Sequence, residues 1–221
     1  MSESMPIDRL LSIASSALVP AGEVPASPIR KMPDEGRFRE LHEMLSLRNG
    51  FYAYEAALHV FPWTADLRSW GGSLGVQAWN ERRLWRDWYA GLIDDLFFFA
   101  EDVFGGQFAI RGAEIVSFDP ESGEIERTAD SLADWAHEIL SSYAQLTGYP
   151  AGHAWQLIHG PIPSGMRLLP KTPFILGGSY DEPNLFAVDA VKGMRYRGEL
   201  WQQIRDLPDG ARVRLKPLPL Q

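Results

Sequence analysis

Three strand-like runs in direct succession, QFAI, EIVSFD and EIERTA, separated by Arg111-Gly112 and by PESG, constrain this chain more than any other feature. Connections this short join antiparallel neighbours, because a parallel crossover needs about a dozen residues or more. The runs therefore predict an antiparallel meander. The chain enters it through LFFFAEDVFGGQFAI, residues 96–110, which sets five phenylalanines around a Glu-Asp pair and a Gly-Gly pair. The apolar run 96–99 is too short for a helix, AEDVFGG reads as a turn-rich connection, and Gly105-Gly106 supplies the positive φ at which the chain reverses. The expectation is a hairpin with Phe98 and Phe108 buried on the core side and Glu101-Asp102 exposed at its tip.

Helical periodicity surrounds the meander. FRELHEMLSLRNG places Phe38, Leu41 and Leu45 on one face and ends in Asn49-Gly50, a left-handed stop. Residues 129–146 carry Leu132, Trp135, Ala136, Ile139, Leu140 and Tyr143 on one face, with Ser131 or Asp130 as the cap. Strands followed by helices on one face predict an α+β fold: an antiparallel or mixed sheet built on a central meander, with helices packed mainly on one side. With 45% hydrophobic residues and 12% aromatics, 221 residues suffice to bury a substantial core.

Residues 1–36 separate into an amphipathic helix and a linker. Ile7, Leu10, Leu11, Ala14 and Leu18 form one stripe, while Glu3 and Asp8 spoil the positive start of a signal peptide. Pro20, Pro25, Pro28 and Pro33 then predict an extended connection. Residues 37–221 read as one domain. Between 51 and 79 an irregular segment is anchored by Trp63, Trp70 and Trp79, and WNERRLWRDWYAGL reads as a short helix. The extension 149–221 alternates a helix around HAWQLIH, apolar runs at RLLP and PFILGG, a strand at NLFAVDA, a helix through GELWQQIRDL and a last strand ARVRLKP. It is expected to complete the same sheet, because no flexible linker precedes it.

Catalytic signatures are weak. GGSLG fits the G-x-S-x-G elbow with Ser73 as nucleophile, yet the preceding DLRSW is too polar and short for the buried strand an elbow requires. His42-Glu43 and His137-Glu138 each begin a zinc-helix pattern, but Ser46 and Ser141 occupy the positions of the second imidazole. His153 and His159, six apart, fall on different helical faces. Glu101 and Asp102 are neighbours and diverge from a common reacting atom, so they read as solvated turn residues rather than an acid/base pair. No catalytic residue, cofactor or metal is assigned. The absence of cysteine removes disulfides, thiolates and Cys-based zinc, and a cytoplasmic location is the expectation.

Charge placement is more informative. Residues 94–138 hold twelve acids against only Arg111 and Arg127, whereas the chain as a whole has a net charge of −8. Direct nucleic-acid binding is disfavoured, no bilayer-spanning run is present, and such a field steers association with a basic protein. Glu101, Asp102, Asp119, Glu121, Glu124 and Glu126 are the expected partner contacts, and Asn49, Gly50, Phe98, Gly105, Phe108 and Trp135 the structural frame.

The order of these elements, with FFFAEDVFGGQFAI followed by VSFDPESGEIERTADSLADWAHEIL, resembles the SUKH superfamily of Smi/Knr-like proteins. The similarity covers residues 38–142, in the acid-x-phenylalanine-glycine element, the turn between strands and the helix start, and more loosely the tail RLLPKTPFILGGSYDEPNLFAVDAVKGM. The resemblance implies an α+β protein-binding domain without catalytic machinery. Many bacterial members are immunity proteins that block toxins, often nucleases, and fungal relatives act as regulatory scaffolds. An immunity protein against a basic toxin domain is thus the leading expectation, a scaffolding module the second, and a serine hydrolase through Ser73 a remote third.

Overall fold

The central strand of the molecule is buried at both faces. In the computed structural model, which describes residues 5–20, 35–64, 74–208 and 210–211, strand β3 (Phe97–Asp102) is inaccessible from Phe97 through Glu101. It lies inside an antiparallel six-stranded meander in sequence order, with β1 (Phe51–Ala53), β2 (Leu58–Val60), β4 (Gln107–Arg111), β5 (Glu114–Phe118) and β6 (Ile125–Ala129). Side chains alternate across a strand, so the phenylalanine run feeds both faces. Phe97 and Phe99 turn to one side, where they meet Phe38 and Trp135 edge-on at 5.0 Å each. Phe98 turns to the other and packs against Trp85 and Phe118. A bulge between Phe98 and Ala100 lets Phe108, opposite Ala100, reach Trp135 as well. Phe98 and Phe108 are both core, as expected, but on opposite faces.

The first face is covered by α1 (Pro6–Ser12), α2 (Glu35–Leu47) and α4 (Leu132–Ser141). Ser131 caps α4 by accepting from the Asp134 backbone N–H, and Glu40 of α2 accepts from Leu132. Gly50 ends the α2 hairpin at φ +68°, where a Cβ would strike Pro62 at 2.6 Å. Its neighbour Asn49 does more than stop a helix. Buried, its amide exchanges two hydrogen bonds with the Trp63 backbone and so ties the end of α2 to the chain leaving β2. The α1 helix is shorter than its apolar stripe: after Ser12 the chain lies along β1, with Ser15 N–H donating to the Tyr52 carbonyl.

The opposite face is covered by α3 (Val76–Trp79), a 3-10 turn at Arg86–Tyr89 and the long α7 (Ala190–Ile204). The single helix expected through WNERRLWRDWYAGL is absent. Trp85 donates its indole N–H to the Trp79 carbonyl, which a continuous helix would use for its own ladder, and Arg86 reaches the carbonyls of Asn80 and Ile93.

The C-terminal part adds α5 (Tyr143–Thr147), α6 (Tyr149–His159) and a hairpin of β7 (Met166–Pro170) with β8 (Leu185–Asp189). Expected to extend the meander, this hairpin forms a separate two-stranded sheet. It docks on the β3–β4 turn through the Leu168 N–H and the Val103 carbonyl, 2.8 Å apart. PFILGG, an apolar run, is no strand but a 3-10 turn with Ile175 and Leu176 exposed. The linker from 21 to 34, Ser73, and ARVRLKP beyond Ala211 lie outside the described residues.

Candidate functional site

The β3–β4 hairpin turn is not an exposed tip. The backbone of Val103 pairs with Thr147 on one side and Leu168 on the other, and Phe104 is held against Gly148, so α5, α6 and β7 close over it. Glu101 and Asp102 are therefore drawn inside, contrary to the expectation of a solvated pair. Pairing of β3 into the sheet then parts them in opposite directions.

Glu101, 1% exposed, faces α7 and β7. Its Oε1 lies 2.8 Å from Arg167 Nε and 3.0 Å from His59 Nδ1, and Gln107 donates to Oε2 at 3.3 Å. Gln107 in turn accepts from the Trp79 indole. The Arg167 guanidinium sits beside the Tyr52 ring and donates from Nη1 to the Met166 carbonyl, while its Nη2 finds no partner among the described residues. Burial would raise the Glu101 carboxyl, but Arg167 and the hydrogen bonds from His59 and Gln107 outweigh it and hold the group below its ordinary value. His59 is pushed down to about 4, first by burial and further by Arg167, so the imidazole stays neutral at physiological pH. This cluster holds the C-terminal hairpin to the meander by a buried ion pair. His59 and Arg167 belong to no sequence motif; the available signal was an ionisable residue inside each of two otherwise apolar strands, LHV and MRLLP.

Asp102 turns the other way, into a cleft of about 240 Å³. Its Oδ1 accepts the backbone N–H groups of Phe104 and Gly106 at 2.8 and 2.7 Å, closing the turn that Gly105 enters at φ +85°. Burial raises its pKa to about 7, against the opposing pull of those N–H groups and of Arg197. Facing it, the β5–β6 turn is built on Asp119, whose carboxylate accepts from the Glu121 backbone and the Ser122 hydroxyl. Glu121 points inward, with Oε1 3.5 Å from Arg197 Nε on α7 and Oε2 accepting from Ile175 N–H. Phe104, Phe174 and Tyr180 form the aromatic wall, with Phe174 and Tyr180 stacked at 4.0 Å.

The six acids singled out in the sequence thus divide three ways. Asp102, Asp119 and Glu121 meet at the cleft, Glu101 is internal, and Glu124 and Glu126 stand exposed at the β6 edge. Part of the local charge excess is cancelled by bases from elsewhere, Arg167 on Glu101 and Arg197 on Glu121. Among the described residues no group of His, Cys, Asp and Glu could hold a metal ion. No described helix is long and apolar enough to cross a membrane.

Comparison with family models and with curated proteins gave no match. Among solved structures, that of Atu4351 from Agrobacterium tumefaciens is similar at 12% identity and a TM-score of 0.45, over 79% of this chain and 85% of that one.

Proposed function

We propose that this chain is a non-catalytic protein-binding domain, of the kind the SUKH resemblance implies, that engages a basic protein such as a toxin nuclease in the cytoplasm. The observation that carries the reading is the character of β6. It ends the six-stranded order, and Glu124, Glu126, Asp130 and Asp134 stand exposed along it and at the start of α4. Arg127 is the one base between them, and it is occupied by Glu114 and Asp130. Acids on an edge strand discourage self-pairing, and together they attract and orient a basic surface. The conversion of Glu101 into a buried ion-pair partner supports the same reading, because it takes one of the two candidate acid/base carboxylates out of reach of a substrate.

The test is kinetic. A basic partner captured on the immobilised chain is expected to associate more slowly as salt rises, and charge reversal at Glu124, Glu126 and Asp130 together should lower the on-rate more than it raises the off-rate. An on-rate indifferent to both would sink the assignment.

A further inference from the structure

The cleft beside the β6 edge holds groups that the fold leaves unsatisfied. Arg197 is only 2% exposed and lines the cleft, yet its Nη1 and Nη2 make no hydrogen bond among the described residues, its one bond being the long contact from Nε to Glu121. Across from it, Asp102 uses Oδ1 for two backbone N–H groups and leaves Oδ2 without a partner among the described residues. The Arg197 Nη atoms and Asp102 Oδ2 are not sealed from solvent, so a donor and an acceptor without partners among the described residues stand open to whatever enters the cleft.

The charge balance decides what fits. Asp102, Asp119 and Glu121 face one guanidinium, and the Tyr180 hydroxyl is held above its ordinary value by burial and then by those same three carboxylates. The cleft is therefore negative despite Arg197. Its wall is aromatic, and ring faces attract a cation. A planar, weakly hydrated guanidinium suits such a site better than a compact ammonium.

We propose that this cleft receives an arginine side chain presented by the polypeptide partner, its guanidinium between Asp102 and Asp119 against the rings of Phe104 and Tyr180, and a carbonyl of the same peptide accepting from Arg197. The inference rests on the reading of the chain as a binder of basic proteins and names the anchor that enters it. Buried anchors set residence time while exposed acids set the encounter rate, so the two act on different constants.

Asp102 is faced by Arg197 from α7, by Asp119 and Glu121 from the β5–β6 turn and by Tyr180, with Glu101 beside it on β3. A bound cation favours its ionised form, so binding releases protons and strengthens as pH rises through about 7.

The experiment is an NMR titration of the full chain with N-acetyl-arginine methylamide, with the citrulline analogue as the neutral isostere. Saturable shifts at Gly105, Gly106 and Tyr180 are expected, with the arginine compound at least about tenfold tighter than citrulline and Asp102→Asn costing about tenfold. Should Asp102→Asn disturb the fold, the wild-type affinity must still rise from about pH 6 to about pH 8. Equal binding of citrulline, an absence of shifts at the cleft, or indifference to both the substitution and pH would overturn the assignment. Arginine in the cleft combined with a partner on-rate blind to the Glu124 and Glu126 reversals would sink the edge and spare the cleft. Salt-steered partner binding with no arginine in the cleft would do the reverse.

Discussion

His59 should make this protein lose stability on mild acidification, by an amount that follows from its position. The imidazole is 1% exposed, between Tyr52 and Phe61, with Glu101 and Arg167 beside it. Its pKa falls from 6.5 to about 4 on folding. The folded state thus resists a proton that the unfolded state takes up: the contribution is complete above 6.5 and is lost as pH falls toward 4. At about 1.4 kcal/mol per unit the whole effect is about 3 kcal/mol, and roughly 2 kcal/mol of it should appear between about pH 7.5 and about pH 5. The wild-type curve alone does not isolate it, because Asp102, raised to about 7, titrates with the opposite sign over the same range. The quantity to measure is the difference in urea-unfolding free energy between wild type and His59→Gln at the two pH values. That difference should shrink by about 2 kcal/mol at the lower pH, whatever the variant costs at neutrality. Parallel pH profiles for the two proteins would refute the placement of a neutral imidazole against the ion pair.

Glu101→Gln should destabilise by about 3–5 kcal/mol, because it leaves Arg167 charged and enclosed; adding Arg167→Met should recover much of this, and chemical denaturation of the single and double variants decides it. Phe98→Ala should cost about 3–5 kcal/mol by lost burial and the cavity left beside Trp85 and Phe118, and an unchanged denaturation midpoint would remove the ring from the core. Gly105→Val should lower the melting temperature, since φ is +85° and a Cβ there would meet Arg197 Nη1 at 2.9 Å.

The meander was legible because its signals are local: short turns, alternating strands and paired glycines all act within a few residues of one another. The same holds for Asn49-Gly50 and for the Ser131 cap. What escaped depends on distant segments. Nothing near Glu101 in sequence announces Arg167 or His59, so a Glu-Asp pair before Gly-Gly reads as a solvated tip until the C-terminal hairpin is laid over it. The absence of a helix through the Trp-rich segment has a nearer cause: the Trp85 indole N–H and Arg86 claim carbonyls only six or seven residues away, side-chain bonds that backbone propensity does not weigh. The acidic cleft was half visible. The sequence supplied Asp102, Asp119 and Glu121, but Arg197 and Tyr180 arrive from 76 or more residues away or through a loop with no periodicity of its own.

Stopped-flow association at varied ionic strength decides whether the acidic β6 edge steers a basic protein partner. For wild type the on-rate should fall steeply as the Debye length shortens from about 30 Å at 0.01 M salt to about 8 Å at 0.15 M. The triple reversal of Glu124, Glu126 and Asp130 to lysine should flatten that dependence and lower the low-salt on-rate by about tenfold or more, with the off-rate changed far less. A partner whose on-rate shows the same salt dependence for wild type and triple variant would contradict the assignment of this edge as the binding surface.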